Sequence, residues 1–160
     1  MSKGGKFISG IGIGFYLTIL AVIATVLAWI FYARNGITDF NVELNSAALV
    51  SLGIGIGLSV LSLAADLLPF EWAGVFVKPL RYAAYLVELY ALVMFIHSQV
   101  TYIANVLVSI DGTTFSSGFI LTAVFFVAGA FLLLAAAITA LVKPFAKKGN
   151  PDPESEVNVG

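Results

Sequence analysis

Residues 7–33 have the sequence FISGIGIGFYLTILAVIATVLAWIFYA, which contains no charged side chain. A helix that crosses the hydrocarbon core of a bilayer needs about 20 mostly apolar residues. This stretch is too long for the core of a signal peptide, and it lacks a convincing cleavage site of small residues. We therefore predict that it is a retained membrane span.

The composition of the whole chain points the same way. The 160 residues are 60% hydrophobic and 11% charged, with a mean hydropathy of +1.02, whereas soluble domains are about 45–50% apolar and about 25% charged. A net charge of −1 provides no basic surface for nucleic acid. The absence of Cys excludes disulfides, thiolate catalysis and Cys-ligated metals. The chain is therefore expected to be an integral membrane protein, not a soluble enzyme, a disordered chain or a nucleic-acid-binding protein.

Three further apolar stretches are long enough to cross a membrane. Together with the first, they predict spans at about 7–33, 47–68, 81–110 and 118–142. Because the loops on one side are short, we predict an all-α integral membrane fold with four transmembrane helices in an up-down antiparallel bundle. This domain is expected to cover residues 1–148. The polar residues 149–160 are predicted to form a disordered cytoplasmic tail.

The basic residues are distributed unevenly between the two sides of the membrane. Lys and Arg accumulate in the cytoplasmic loops of membrane proteins. Of the eight basic residues, only Arg34 falls on the side predicted to face outward. We therefore predict a multi-pass protein of the plasma membrane, bacterial inner membrane in type, with both termini in the cytoplasm. The basic residues that define the cytoplasmic side are Lys3, Lys6, Lys78, Arg81, Lys143, Lys147 and Lys148.

The connection between the second and third spans has its own pattern. Pro69 and Pro79 bracket a segment with an acid near its start and a lysine near its end, which suits the dipole of a helix. We predict a short helix that lies in the membrane interface. Trp29 and Trp72 are predicted to be interfacial anchors, because tryptophan prefers the boundary between lipid and water.

Small residues predict where the helices pack closely. Gly10 pairs with Gly14 in the first span, and Gly53 pairs with Gly57 in the second. Glycines four residues apart let helix backbones approach each other in a membrane. The two pairs lie at different depths, so we expect them to serve separate contacts. The second span also carries a small, weakly polar stripe, which predicts a helix–helix seam or, alternatively, a solute path. The stripe consists of Ser51, Gly55, Ser59, Ser62 and Asp66.

The third span contains the only acid that lies clearly inside a predicted membrane helix, Glu88. Lipid penalises a central ionised acid by about 2.5 kcal/mol or more, so its helix face must look into the bundle or toward a partner. Two roles remain open for Glu88. It is either a hydrogen-bonded structural residue or a proton- or cation-coupling acid, with Tyr85, Gln99, Ser59 and Ser62 lining the path. Spacings of three and four predict a heptad seam that places the polar residues of this span on one face. The seam consists of Arg81, Tyr85, Glu88, Leu92, Phe95, Gln99, Tyr102 and Val106.

His97 is the single histidine of the chain. It lies nine residues from Glu88, about half a turn around the helix, so the two cannot pair. We expect it to be satisfied inside the bundle, and we group it with Asp66 among the polar core residues. No spacing of His and acidic residues suggests a metal site, and we predict no cofactor. The sequence also lacks a G-x-S-x-G motif or another catalytic signature, so we expect no enzymatic activity.

These observations favour a small polytopic membrane protein that acts as an accessory or scaffold subunit. It would work as a homo-oligomer or beside a larger membrane protein partner within the lipid bilayer, without nucleic acid. The alternative is a small oligomeric proton- or cation-coupled transporter or channel in which Glu88 is the coupling acid. Four spans with short loops do not distinguish these functions, because architecture alone does not imply function.

Overall fold

The structure is a computed structural model that describes residues 12–37, 43–68, 73–109, 112 and 114–142. All regular secondary structure in these ranges is α-helical. Each of the four helices contains a segment long and apolar enough to cross a membrane. The prediction of an all-helical protein with four helices able to span a membrane is therefore confirmed for the described residues. The helices are α1 (Ile13–Asn35), α2 (Ser46–Leu67), α3 (Ala73–Val108) and α4 (Ser117–Val142).

Side-chain caps fix the starts of two helices. Asn45 precedes α2, and its side-chain oxygen accepts a hydrogen bond from the backbone N–H of Ala48 at 3.2 Å. Ser116 precedes α4, and its hydroxyl accepts one from the N–H of Phe119 at 3.2 Å. The first N–H groups of a helix have no partner within the helix, and a cap of this kind stabilises it by about 1 kcal/mol. Both helices therefore begin at positions that their sequences specify.

The predicted interfacial helix is not found as a separate element in the described residues. From Ala73 onward its segment forms the first turns of α3, which continues through Pro79 as one helix of 36 residues. Because proline lacks a backbone N–H, Pro79 cannot donate a helical hydrogen bond to the carbonyl of Val75. Pro79 is the seventh residue of α3 and lies inside it, yet the helix is not interrupted. Residues 69–72, which include the predicted anchor Trp72, lie outside the described residues.

Each helix packs against two neighbours. α1 contacts α2 and α4, and α3 contacts α2 and α4, so the four helices form a closed ring. At one end the Arg81 side chain reaches Asp66 of α2 and lies against Gly14 of α1. We call this the charged end, defined by Arg81 and Asp66. At the other end Tyr32 of α1 accepts a hydrogen bond from the N–H of Asn45 at 3.0 Å.

Three aromatic rings fill the interior on the side away from the charged end. Tyr32, Phe95 and Phe126 come from α1, α3 and α4, and each is at most 2% exposed. The Phe95 and Phe126 rings stack with centroids 4.8 Å apart, and Tyr32 meets Phe95 edge-on at 5.3 Å. Both are favourable aromatic geometries. We call these three rings the aromatic plug. A second, smaller cluster nearer the charged end consists of Ala21, Ala84 and Leu133.

Candidate functional site

Glu88 lies where all four helices meet. The residue is 0% exposed. Its Oε1 lies 2.8 Å from the hydroxyl of Thr25 on α1. A β-carbon built on Gly55 of α2 would lie 4.0 Å from the Glu88 Cβ, and Gly129 of α4 faces the carboxyl group directly. The carboxyl group therefore lies against α1 and α4, and the backbone of α2 passes beside the Glu88 side chain at Gly55.

The absence of a side chain at Gly129 makes room for the carboxyl group. A β-carbon at this position would overlap Glu88 Oε1 and lie 3.2 Å from the carboxyl carbon. The same β-carbon would lie 3.0 Å from the Thr25 hydroxyl. Thr25 and Gly129 are not among the sequence-predicted site residues. The one signal for Gly129 is a glycine inside a long apolar helix, where glycine is unfavourable by about 1 kcal/mol relative to alanine.

The polar contacts of Glu88 are few. Its Oε2 is buried and has no hydrogen-bond partner in the described part of the chain. The hydroxyl of Thr25 lies 2.8 Å from Oε1 and 2.9 Å from the carbonyl oxygen of Ala21. Among the described residues, the ion pair joins Arg81 to Asp66 and does not include Glu88. The carboxyl group is thus held by the hydroxyl of Thr25 and by its close packing against Gly129.

Arg81 and Asp66 form a separate polar group at the charged end. The Arg81 side chain is 5% exposed and donates to Asp66 Oδ2, while the Asp66 side chain is 25% exposed. The Nη1 atom of Arg81 lies close to Gly14, where it would meet a β-carbon at 2.7 Å. One guanidinium group therefore crosses the end of the bundle from α2 to α1. The sequence prediction grouped Asp66 with Glu88, but the structure pairs it with Arg81 instead.

The predicted path residues are not brought together. Gln99 is 1% exposed, and its amide nitrogen donates to the Gly36 carbonyl at 3.2 Å, beyond the aromatic plug. Ser59 and Ser62 are buried on the other side of Glu88, where the Ser62 hydroxyl donates to the Ser59 carbonyl at 2.8 Å. Tyr85 is half-buried and lines an apolar groove of about 250 Å³ between α3 and α4.

The prediction for His97 is wrong. Its side chain is exposed on the outer surface of the bundle, not satisfied inside it. Nine residues from Glu88 correspond to about half a turn of helix azimuth at 3.6 residues per turn. Because Glu88 faces the interior, His97 must point away from it. Tyr90 and Thr101 share the exposed face of α3 with His97.

The predicted packing glycines divide into two groups. Gly14 is buried against Arg81 and Thr139, whereas Gly10 lies outside the described residues. A β-carbon on Gly53 or Gly57 would have no atom within 4 Å. This pair therefore makes no close contact within the described chain and faces the outside of the bundle. The side chain of Trp29, a predicted anchor, is 44% exposed.

Within the described residues, no group of three or more His, Asp or Glu side chains is placed to hold a metal ion. Comparisons with protein-family models, with curated proteins and with solved structures find no match for this chain. Functional inference therefore rests on three features of the molecule. They are the enclosed carboxyl group of Glu88, the ion pair at the charged end, and the outward-facing glycines of α2.

Proposed function

We propose that this protein acts by lateral assembly in the membrane, as an accessory or scaffold subunit or as a homo-oligomer, with no catalytic activity of its own. The observation that carries the proposal is the outward position of Gly53 and Gly57. α2 begins at Ser46, so these glycines lie about 10 and 16 Å along the helix at 1.5 Å per residue. They belong to the part of α2 that is apolar enough to lie in lipid.

Lipid supplies no hydrophobic driving force between helices, so association depends on close packing of backbones. Two glycines one turn apart create a shallow surface on which another helix can approach α2. Among the described residues, nothing packs closely against that surface. A second copy of this chain, or a helix of a larger membrane protein, would bury it.

The chain has no Cys, so single cysteines test this proposal directly. We expect Gly53→Cys or Gly57→Cys to form disulfide-linked dimers in native membranes, or to appear in a stoichiometric complex with a larger partner in mild detergent. Ile23→Cys is the matched control, because Ile23 is 52% exposed on α1. Gly57→Leu should dissociate the assembly. Ala33→Leu, which also places a leucine at an exposed helix position, should not. A lone, monodisperse monomer without any partner would contradict lateral assembly.

A proton- or cation-coupled transporter is the second candidate function. It is favoured by one observation, the enclosed carboxyl group of Glu88 at the junction of the four helices. Ionisable residues inside membrane segments mark ion pathways more often than other positions do. Purified protein in liposomes should then show a proton or cation flux that Glu88→Gln abolishes. A flux that survives this substitution would remove Glu88 from the mechanism.

We also propose the up-down antiparallel order, with both termini in the cytoplasm of a bacterial-type cell. The contacts of Arg81 with Asp66 and Gly14 support this order, because they bring the start of α1, the end of α2 and the start of α3 together. Seven of the eight basic residues fall on this side under that order. The extent of the domain, 1–148, and the tail, 149–160, are part of the same proposal. Reporters that work only in the cytoplasm, fused to each terminus, should be active at both ends, and an inactive fusion would contradict the orientation.

A further inference from the structure

We propose that Glu88 is a proton-binding site that is reached from the charged end of the bundle and closed toward the other end by the aromatic plug. The inference is independent of lateral assembly. It specifies a site for the second candidate function, but it also holds for a protein that binds the proton without transporting it.

The hydroxyl of Thr25 is shared between two acceptors. It has one hydrogen but lies within hydrogen-bond distance of both, Glu88 Oε1 at 2.8 Å and the Ala21 carbonyl at 2.9 Å. With an ionised carboxylate, only one of these contacts is a hydrogen bond at any moment. With a protonated carboxyl group, Glu88 donates to the Thr25 oxygen and Thr25 donates to Ala21. The proton therefore satisfies both contacts together.

Glu88 has no counter-charge beside it among the described residues. The sequence of α4 contains no titratable residue. The titratable groups of α1 are Tyr16, Tyr32 and Arg34, and α2 contains Asp66, which is paired with Arg81. On the face of α3 that carries Glu88, the nearest are Tyr85 and Arg81, one and two turns away, whereas Tyr90 and Tyr82 are exposed. An unpaired carboxylate in an apolar interior is so unfavourable that such a group binds a proton and becomes neutral instead. Binding a proton removes that cost.

The interior differs on the two sides of Glu88. Between Glu88 and the charged end, the fully buried side chains are mainly small or hydroxyl-bearing, with Leu133 as the larger member, and the partly buried Leu58, Tyr85 and Leu132 pack against them. In the other direction the three rings of the aromatic plug contact one another, with centroids 4.8 to 6.1 Å apart. Hydroxyl groups can hand a proton to water or to each other, whereas aromatic hydrocarbon cannot. The small and hydroxyl residues are Thr18, Ala21, Ser59, Ser62 and Ala84.

Infrared spectroscopy of the protein in phospholipid vesicles tests whether Glu88 is protonated. Wild-type protein carrying ¹³C-labelled glutamate should show, at neutral pH, an isotope-shifted carbonyl band of a protonated carboxylic acid. Glu88→Gln should lose this band, whereas Glu43→Gln, at an exposed position, should keep it. The absence of a protonated glutamate band in the wild-type protein would overturn the proposal. A band that persists unchanged in folded Glu88→Gln would overturn it too, and the wild-type isotope measurement does not depend on the folding of any variant.

The accessibility of single cysteines tests from which end of the bundle Glu88 is reached. Ser62→Cys and Ala28→Cys replace small residues that are both 0% exposed, one on each side of Glu88, in a chain without other Cys. A small water-soluble thiol reagent should modify Ser62→Cys and leave Ala28→Cys protected. Equal modification, equal protection or the reverse order would overturn one-sided access. These readouts use neither flux nor assembly, so a failure of either candidate function would be seen separately from a failure of this inference.

Discussion

Glu88 owes its place in the interior to two neighbours that carry no charge. The hydroxyl of Thr25 supplies its one hydrogen-bond contact in the described chain, and Gly129 supplies the space for its carboxyl group. Glycine in a helix interior usually costs about 1 kcal/mol relative to alanine. At residue 129 that preference is reversed, because the volume a methyl group would occupy is filled by Glu88 Oε1.

We expect Gly129→Ala to lower the free energy of unfolding by about 1–3 kcal/mol, the usual cost of forcing an extra carbon into a packed interior. Thermal unfolding in detergent, compared with the wild-type protein, measures the change. Gly53→Ala is the matched control, since a β-carbon there would meet no atom within 4 Å. It should leave the protein equally stable or slightly more stable.

The clash with Glu88 can be isolated by a double-mutant cycle. If the carboxyl group is the obstacle, Gly129→Ala should cost much less in a Glu88→Ala background than in the wild-type protein, a coupling of about 0.5–3 kcal/mol for residues in contact. An equal cost in both backgrounds would show that another neighbour of Gly129 resists the added carbon.

α3 is the longest of the four helices and is much longer than a membrane span requires. At 1.5 Å per residue its 36 residues extend about 54 Å, whereas the hydrocarbon core is about 30 Å thick. The helix therefore continues beyond the hydrocarbon. Its first turns, before and around Pro79, are the part that the sequence assigned to a separate helix.

Pro79→Ala should stabilise the protein. The substitution restores an N–H that can donate to the Val75 carbonyl, so the gain approaches but does not reach the about 3 kcal/mol that proline costs in a helix interior. Unfolding in detergent measures it, with Lys78→Ala as the control at an exposed neighbouring position. A less stable Pro79→Ala protein would show that α3 needs a bend at this point.

The periodicity of α3 was sufficient to predict its buried face. Spacings of three and four placed Glu88, Phe95 and Gln99 on one side, and all three are at most 2% exposed. The same geometry, applied to His97, should have placed it outside. Thr25 and Gly129 could not be predicted, because a contact between helices depends on their relative rotation, which no single-helix pattern contains.

At the scale of the whole molecule, the two ends of the bundle are held by different chemistry. Aromatic rings and hydrogen bonds to loops hold one end, including the bond from the Ser116 N–H to the Tyr102 hydroxyl at 2.8 Å. At the other end, one guanidinium group joins α2 and α3 and lies against α1. The aromatic end depends on apolar contact, and the charged end depends on a pair of opposite charges.

That difference predicts how the charged end responds to substitution. Asp66→Asn leaves the guanidinium group of Arg81 buried without its counter-charge. Breaking a buried ion pair in this way costs about 3–5 kcal/mol, and the 25% exposure of the Asp66 side chain places the expected loss at or below the lower end of that range. The double variant Asp66→Leu with Arg81→Met removes both charges and should recover most of the lost stability, because an apolar pair of similar size often replaces a buried ion pair without cost. Unfolding of the two variants in the same detergent measures the difference. If the double variant is as unstable as Asp66→Asn, the guanidinium group stabilises the bundle through its contact with α1 rather than through the ion pair.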